Sequence, residues 1–328
     1  MPKYFIGIDV STTASKVLVI DEQGTVITVQ SSPHDLSTPR PLWSEQDPEQ
    51  WWHATVASLR QVLQTIAADD IAAIGLTGQM HGLTTLDKNG QPLRPAILWN
   101  DGRSGAQCDE ITEKVGANRL YQLVGTRMLP GFTAPKIMWV RDHEPEVYKQ
   151  IAHVLLPKDY VRYHLSGAFV VDVADGSGLA LMDIGKRTWS DEVLAATGIP
   201  RAWLPELCES PEICAHVSEE GAAATGLKVG TPIVGGAGDQ PAGGVGNGIV
   251  EMGQSSLTIG TSGVAYAVSD RYAPEPDGRL HTFCGPMPGT WFHMGVMLSA
   301  AGGLRWIHDE LAPDKSYDAI NQMVENVP

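Results

Sequence analysis

The chain has 328 residues, 43% hydrophobic, 7% aromatic and 19% charged, enough apolar material for two domains with sizeable cores. Its 23 Lys and Arg against 38 Asp and Glu give a formal net charge of −15. No basic cluster interrupts that balance, which argues against nucleic-acid binding. A polyanionic ligand has to be held locally, by backbone N–H groups, a few cations or a divalent metal.

Nothing in the chain approaches the run of about 18 apolar residues that a spanning helix needs, so no membrane role is expected. The N-terminus runs straight into a strand pattern without a signal-peptide core, and Cys108, Cys208, Cys214 and Cys284 lack zinc-site spacing. Free thiols in a cytoplasmic protein are the expectation.

The chain opens as antiparallel β structure. Tyr4–Asp9 reads as an apolar strand ending on a carboxylate, residues 10–14 as a small-residue turn, Lys16–Asp21 as the returning strand, and Thr25–Val29 as a third. Asp47-Pro48-Glu49 is a helix start, with an N-cap carboxylate, a first-turn proline and an acid. Trp52, Val56, Leu59, Leu63 and Ile66 then mark one buried stripe. Ile71–Thr77 is a strand running into the loop Gly78-Gln-Met-His-Gly82, and Arg94–Trp99 is a strand running into Asn100-Asp-Gly-Arg103. Both loops lie at strand ends, where α/β proteins place their sites. Residues 104–220 pattern mostly as helix, with Asp172–Gly178 reading as an exposed turn. From residue 232 the texture changes. Pro232–Val234 falls into glycines around Asp239, and residues 240–246 look like a closely packed helix start. Residues 256–268 then repeat the strand–turn–strand design of the N-terminus, which suggests one such unit in each of two lobes.

The sequence contains no G-x-x-x-x-G-K-[ST], no G-x-G-x-x-G after the first strand, no H-E-x-x-H and no G-x-S-x-G. What it offers instead is two hydroxyl-rich turns. Asp9 precedes Ser11-Thr12-Thr13, with Lys16 beyond; a strand-tip carboxylate can hold Mg²⁺ while turn amides and hydroxyls bind phosphate oxygens. Gly260-Thr261-Ser262-Gly263 has the same chemistry. Asp239, among glycines and ahead of a helix, can accept a proton from an attacking hydroxyl, or simply cap that helix. Met80 and His81 can contact a polar small molecule, whereas Asp101 and Arg103 can equally pair with each other.

Taken in order, Ile6–Asp9, Gly78–Gly82, Trp99–Arg103, Pro130–Lys136, Leu156–Tyr160, Gly236–Gln240 and Ile259–Gly263 resemble the FGGY carbohydrate kinases over nearly the whole chain. The resemblance implies an α/β, actin-like ATPase fold, a duplicated ribonuclease H-like architecture. Residues 1–245 would form the lobe carrying the sugar and the catalytic site. Residues 246–328 would begin a second lobe, with a phosphate turn and an incomplete ATP site. It implies ATP-dependent phosphorylation of a ketose, D-xylulose favoured, with ATP and Mg²⁺ as cofactors, small-molecule partners only, and a homodimer left open.

Carried over by motif, Asp239 is the catalytic base and Asp9 the metal-side catalytic carboxylate. Met80, His81, Asn100 and Asp101, with Asp239, take the sugar. Thr12, Thr13, Lys16, Gly260, Thr261 and Ser262 lie near the ATP phosphates. Gln240 stands where the xylulose-phosphorylating branch usually carries Asn, and as glycerol-phosphorylating members do, so the reaction is better fixed than the sugar. Ser11-Thr12-Thr13 replaces the common Gly-Thr-Ser turn, which is compatible with phosphate binding if Ser11 avoids positive φ. Family members continue well past the point corresponding to Pro328, so the alternatives are a sugar-binding or regulatory fragment without turnover, or a kinase for another ketose or polyol. A half-lobe would leave Leu304, Trp306 and Ile307 without cover.

Overall fold

The computed structural model describes residues 3–325 and 327. Strand β1 (Tyr4–Val10) alternates outward and inward, sending Ile6, Ile8 and Val10 into the core. It pairs antiparallel with β2 (Ala14–Asp21), which pairs antiparallel with β3 (Val26–Pro33). A two-residue strand, β4 (Glu45–Gln46), leads into helix α1 (Pro48–Val62). The helix start is as expected: Asp47 caps it, accepting from the Glu49 amide at 3.0 Å, and Pro48 occupies the first turn. The helix ends at Val62, so Ile66 is buried from the loop beyond it rather than from the helical stripe.

Strand β5 (Ile71–Gly78) runs parallel to β1 on its other side, and the sheet continues through Pro232–Val234 to Ile213–His216. Trp51, Leu59 and Val62 of α1 and Tyr160 and Leu165 of the helix Pro157–Ser166 cover one face and bury the strand residues. A short segment, Ala237–Gly238, pairs with the end of β5 and delivers the chain to the helix Asp239–Gly246. The ends of β1, β5 and Ala237–Gly238 thus lie side by side, and Asp9, the Gly78–Gly82 loop and Asp239 emerge from one edge.

A second sheet holds Ser255–Ile259, Gly263–Ser269, Trp291–Met297 and His281–Cys284 in that spatial order, all antiparallel. Its first hairpin repeats the β1–β2 hairpin, as the sequence suggests. Val264, Tyr266, Phe283, Phe292 and Met294 join the larger core. Trp306 and Ile307 are 57% and 40% exposed, as expected for uncovered apolar side chains, while Leu304 is half-buried.

Two expectations fail. The strand expected over Arg94–Trp99 shrinks to Ala96–Ile97, because Pro95 has no N–H to donate and the Arg94 side chain is engaged by Glu45 and Glu144. More consequential, Asp172–Gly178 is no exposed turn. It forms the last strand residue and a helical turn, and Asp172, Asp175 and Ser177 have no access to solvent. The reason lies on another element. Lys158, also fully buried, places its ammonium 2.6 Å from Asp159, 2.7 Å from Asp172 and 3.4 Å from Asp175. Arg162 adds a contact to Asp159 at 2.7 Å and donates to the Gly235 carbonyl. Three acids can enter the core because two cations go with them.

Removing one partner from such a cluster leaves buried charge uncompensated, which costs about 3–5 kcal/mol. Lys158→Met should lower the unfolding free energy by about that amount in urea titrations. A loss below about 1 kcal/mol would mean that the carboxylates are neutral without the lysine.

Candidate active site

Met80 and His81 sit at the tip of the loop that follows β5. His81 adopts φ 67°, a left-handed conformation uncommon for a residue with a Cβ, and such strain is stored where a side chain has to be aimed. The conformation is held from three sides. The Lys136 ammonium donates to the His81 carbonyl at 2.9 Å and to the Gly131 carbonyl at 2.7 Å, and the Thr133 hydroxyl donates to the same His81 carbonyl at 3.0 Å. The ring stacks edge-on against Phe132, with centroids 4.9 Å apart. Its Nδ1 lies 3.1 Å from the Gly178 carbonyl. A carbonyl only accepts, so Nδ1 carries the proton and Nε2 is left as an acceptor. Burial, and secondly the nearby Lys136 charge, push the imidazole down to about 3, so the ring stays neutral throughout the physiological range. At Gly178 any Cβ would collide with the ring.

Asp239 opens the helix after Ala237–Gly238. The cap position belongs to Gly238, so the carboxylate is not consumed as a cap. Gly238 has to be glycine, since a Cβ there would lie 2.9 Å from the Met80 sulfur and 3.0 Å from an Asp175 carboxylate oxygen. The Asp239 side chain opens to solvent through a cavity, yet the surrounding protein displaces enough water to raise its carboxyl to about 6. The Gln240 amide opposes that rise, and the negative charge of Asp9 adds to it. Asp9 is itself raised by burial and lowered by Lys16, its cross-strand partner.

The cavity, about 140 Å³, is walled on one side by Met80, His81, Trp99, Asp239 and Gln240. Ser262, Val264, Met294, Val296 and Leu298 wall it from the second sheet. Four expected site residues, Met80, His81, Asp239 and Ser262, therefore meet at one place. Thr12 stands one hydrogen bond behind it, its hydroxyl accepting from the Trp99 indole at 3.2 Å. The Ser11–Ala14 turn is closed by the Ser11 amide and hydroxyl on the Ala14 carbonyl, at 3.0 and 2.8 Å, and Ser11 keeps negative φ, as phosphate binding requires. Thr13 and Lys16 are exposed beside it. Gly260 and Thr261 form the equivalent turn in the second sheet, their carbonyls accepting from the amides of Ala301 and Ala300.

Asn100 and Asp101 are not brought to the cavity. Asn100 faces a separate surface hollow beside Thr38 and Leu42. Asp101 is 3% exposed and consumed: it accepts from the Ser44 amide at 2.6 Å and pairs with Arg103 at 2.7 Å. The rival reading of an Asp101–Arg103 pair is the one the structure supports. Lys136 and Thr133, which hold the Gly78–Gly82 loop through the His81 carbonyl, are not among the residues that the sequence singles out. Their only trace in the sequence is that they lie in the Pro130–Lys136 motif.

No group of three or more His, Cys, Asp or Glu among the described residues forms a ready metal cage. Asp9, a carboxylate at the end of β1 beside the Ser11–Ala14 turn, is a donor of the oxygen type that Mg²⁺ takes. No helix among the described residues is long and apolar enough to cross a membrane, and Cys108, Cys208, Cys214 and Cys284 are free.

Two sheets with equivalent hydroxyl-rich hairpin turns, and an acid at a strand end between them, define an α/β protein of the actin-like ATPase fold. The profile of the FGGY family of carbohydrate kinases, N-terminal domain, matches residues 4–246, and the chain belongs to that family. It is 45% identical over 302 residues to the xylulose kinase of Escherichia coli K12, covering 92% of this chain and 62% of that protein. The crystal structure of a xyloylose kinase from Brucella ovis superimposes with a TM-score of 0.91 at 37% identity, covering 98% of this chain and 66% of that one. That of xylulose kinase from Rhodospirillum rubrum gives 0.92 at 30% identity, covering 99% and 67%. The chain thus spans about two thirds of the length of these relatives.

The Asp239 carboxyl should titrate near pH 6 in carbon-detected NMR, above the ordinary value of 3.8. Because the Asp9 charge is one cause of the rise, Asp9→Asn should move that titration to lower pH. An unmoved titration would place Asp9 out of electrostatic reach.

Proposed function

We propose that the protein phosphorylates a ketose from ATP, D-xylulose to D-xylulose 5-phosphate, with the division of labour between lobes near residue 245. The observation that carries this reading is the convergence on one small cavity of a raised carboxylate, without an ion-pair partner among the described residues, and a neutral, tautomer-fixed histidine. The likeness to named xylulose kinases supports the choice of sugar.

The sugar is uncharged, and a neutral acceptor suits it. His81 Nε2 accepts a hydrogen bond from a sugar hydroxyl without bringing charge into the cavity, and Met80 covers an apolar face. Asp239, ionised above about pH 6, takes the proton of the terminal hydroxyl as that oxygen bonds to the γ-phosphorus and the bond to the ADP oxygen breaks. In the turns at Ser11–Thr13 and Gly260–Ser262 the exposed hydroxyls of Thr13 and Thr261, with that of Ser262 at the cavity wall, would meet phosphate oxygens, and Lys16 lies beside the first turn. Asp9 fits a water-mediated hold on Mg²⁺, which when bound neutralises charge developing on the phosphate oxygens.

In a coupled ADP-release assay, Asp239→Asn should lower kcat by at least about a hundredfold, the usual contribution of a general base, while sugar binding survives. In the same assay His81→Ala should raise KM for D-xylulose far more than KM for ATP, because a lost buried hydrogen bond costs about 1–3 kcal/mol. Near-normal turnover in the first variant removes Asp239 from the chemistry. A KM effect on ATP alone assigns the loop to the nucleotide. Preference for another ketose or a polyol across a substrate panel would revise the sugar and keep the mechanism.

A further inference from the structure

Gln46, in β4, is 2% exposed and touches no cavity described above, yet its amide joins four separate segments. Nε2 lies 2.5 Å from the Thr12 carbonyl in the phosphate turn, 3.1 Å from the Asp35 carbonyl and 3.2 Å from His34 Nδ1. Oε1 accepts from the Gln79 side-chain amide at 2.8 Å and from the Trp51 indole at 3.0 Å. Gln79 immediately precedes Met80 and His81, and its backbone N–H donates to the Val10 carbonyl at 2.9 Å. The loop closes through Thr12, whose hydroxyl accepts from Trp99, a wall of the cavity, and lies 3.3 Å from Gln79 Oε1.

One amide therefore donates to the turn that faces phosphate and accepts from the loop that faces sugar. Both ends of the amide are used: its NH₂ donates on the turn side and its carbonyl oxygen accepts on the loop side. We propose that Gln46 is a positioning residue that locks the Ser11–Thr13 turn and the Gln79–His81 loop into one geometry, so that occupation of either subsite orders the other. Buried networks of this kind hold a unique arrangement when every member is satisfied. Two sites that order the same network are coupled reciprocally. The identity of the two ligands rests on the function proposed above; the mechanical link between the two segments does not.

The test has a ligand-free arm and a ligand arm. Gln46→Leu removes both polarities. Gln46→Glu keeps the acceptor for Gln79 and Trp51 but presents a second oxygen to the Thr12 carbonyl. In hydrogen exchange without ligands, the leucine variant should speed exchange of the Trp99 indole proton and the Gln79 amide at least tenfold, leaving the β1–β2 ladder unchanged. The glutamate variant should loosen the Thr12 side alone. That split is not what a packing role produces, and the glutamate variant carries the test if the leucine variant fails to fold. In calorimetry, D-xylulose should bind the unsubstituted protein at least fivefold more tightly with magnesium and a non-hydrolysable ATP analogue present. That factor should fall to within twofold of unity in both variants. Unchanged exchange, exchange that rises evenly over the sheet, or coupling that persists overturns the proposal. Absence of D-xylulose binding by the unsubstituted protein would instead overturn the function reading, and the exchange arm then decides the role of Gln46.

Discussion

A lysine ammonium without access to water, 2.6 and 2.7 Å from two carboxylates and 3.4 Å from a third, is the contact on which the arrangement around the cavity depends. Lys158 lies in the helix under the first sheet, Asp172 and Asp175 in a turn from elsewhere in the chain, and the pairing draws that turn into the core. The turn then supplies the Gly178 carbonyl that fixes the His81 tautomer, and it packs Asp175 against the backbone at Gly238. Arg162, in the same cluster, donates to the Gly235 carbonyl a few residues before Asp239. A buried charge cluster is weak evidence for stability, because hydrophobic replacements often match it. Here its consequence is positional: it ties the His81 loop and the segment before Asp239 to one buried cluster.

The electrostatics of the cavity follow from the acidic composition. With a net charge of −15, the protein has no surplus of cations to spread over a polyphosphate site, and Lys16 is the one cation among the residues assigned to the first phosphate turn. Backbone amides and hydroxyls in the two hairpin turns are the remaining way in which the proposed nucleotide's phosphate oxygens would be met. The histidine of the cavity wall brings no charge into it. His81 is held neutral by burial and by the Lys136 charge, and Lys136 is itself lowered to about 7 by its own burial. Only Asp239 titrates between the ordinary carboxylate range and neutrality at the cavity wall, so one ionisation governs its readiness to take a proton.

Much of this was legible in the sequence because the signals are local. Strand alternation in Tyr4–Asp9, the Asp47–Glu49 helix start and the Gly/Thr/Ser hairpin at residues 260–263 each carry their cause within a few residues. The family resemblance then gathered Met80, His81 and Asp239 correctly into one neighbourhood. What failed was non-local. Asp172–Gly178 reads as a polar turn because its neutralising lysine lies on another helix. Asp101 reads as a candidate ligand because the Ser44 amide that claims its second oxygen comes from a distant loop. Lys136, Thr133 and Gln46 act through backbone carbonyls and amides on other segments, and a linear pattern holds no sign of which carbonyl a side chain will reach.

The central claim is that Asp239 addresses the hydroxyl of a ketose oriented by His81. A crystal structure with D-xylulose bound tests it most directly. The account predicts the terminal hydroxyl within about 2.6–3.2 Å of an Asp239 carboxylate oxygen, with a second sugar hydroxyl donating to His81 Nε2. A sugar seated elsewhere, or one bound here with its terminal hydroxyl turned away from Asp239, would contradict it.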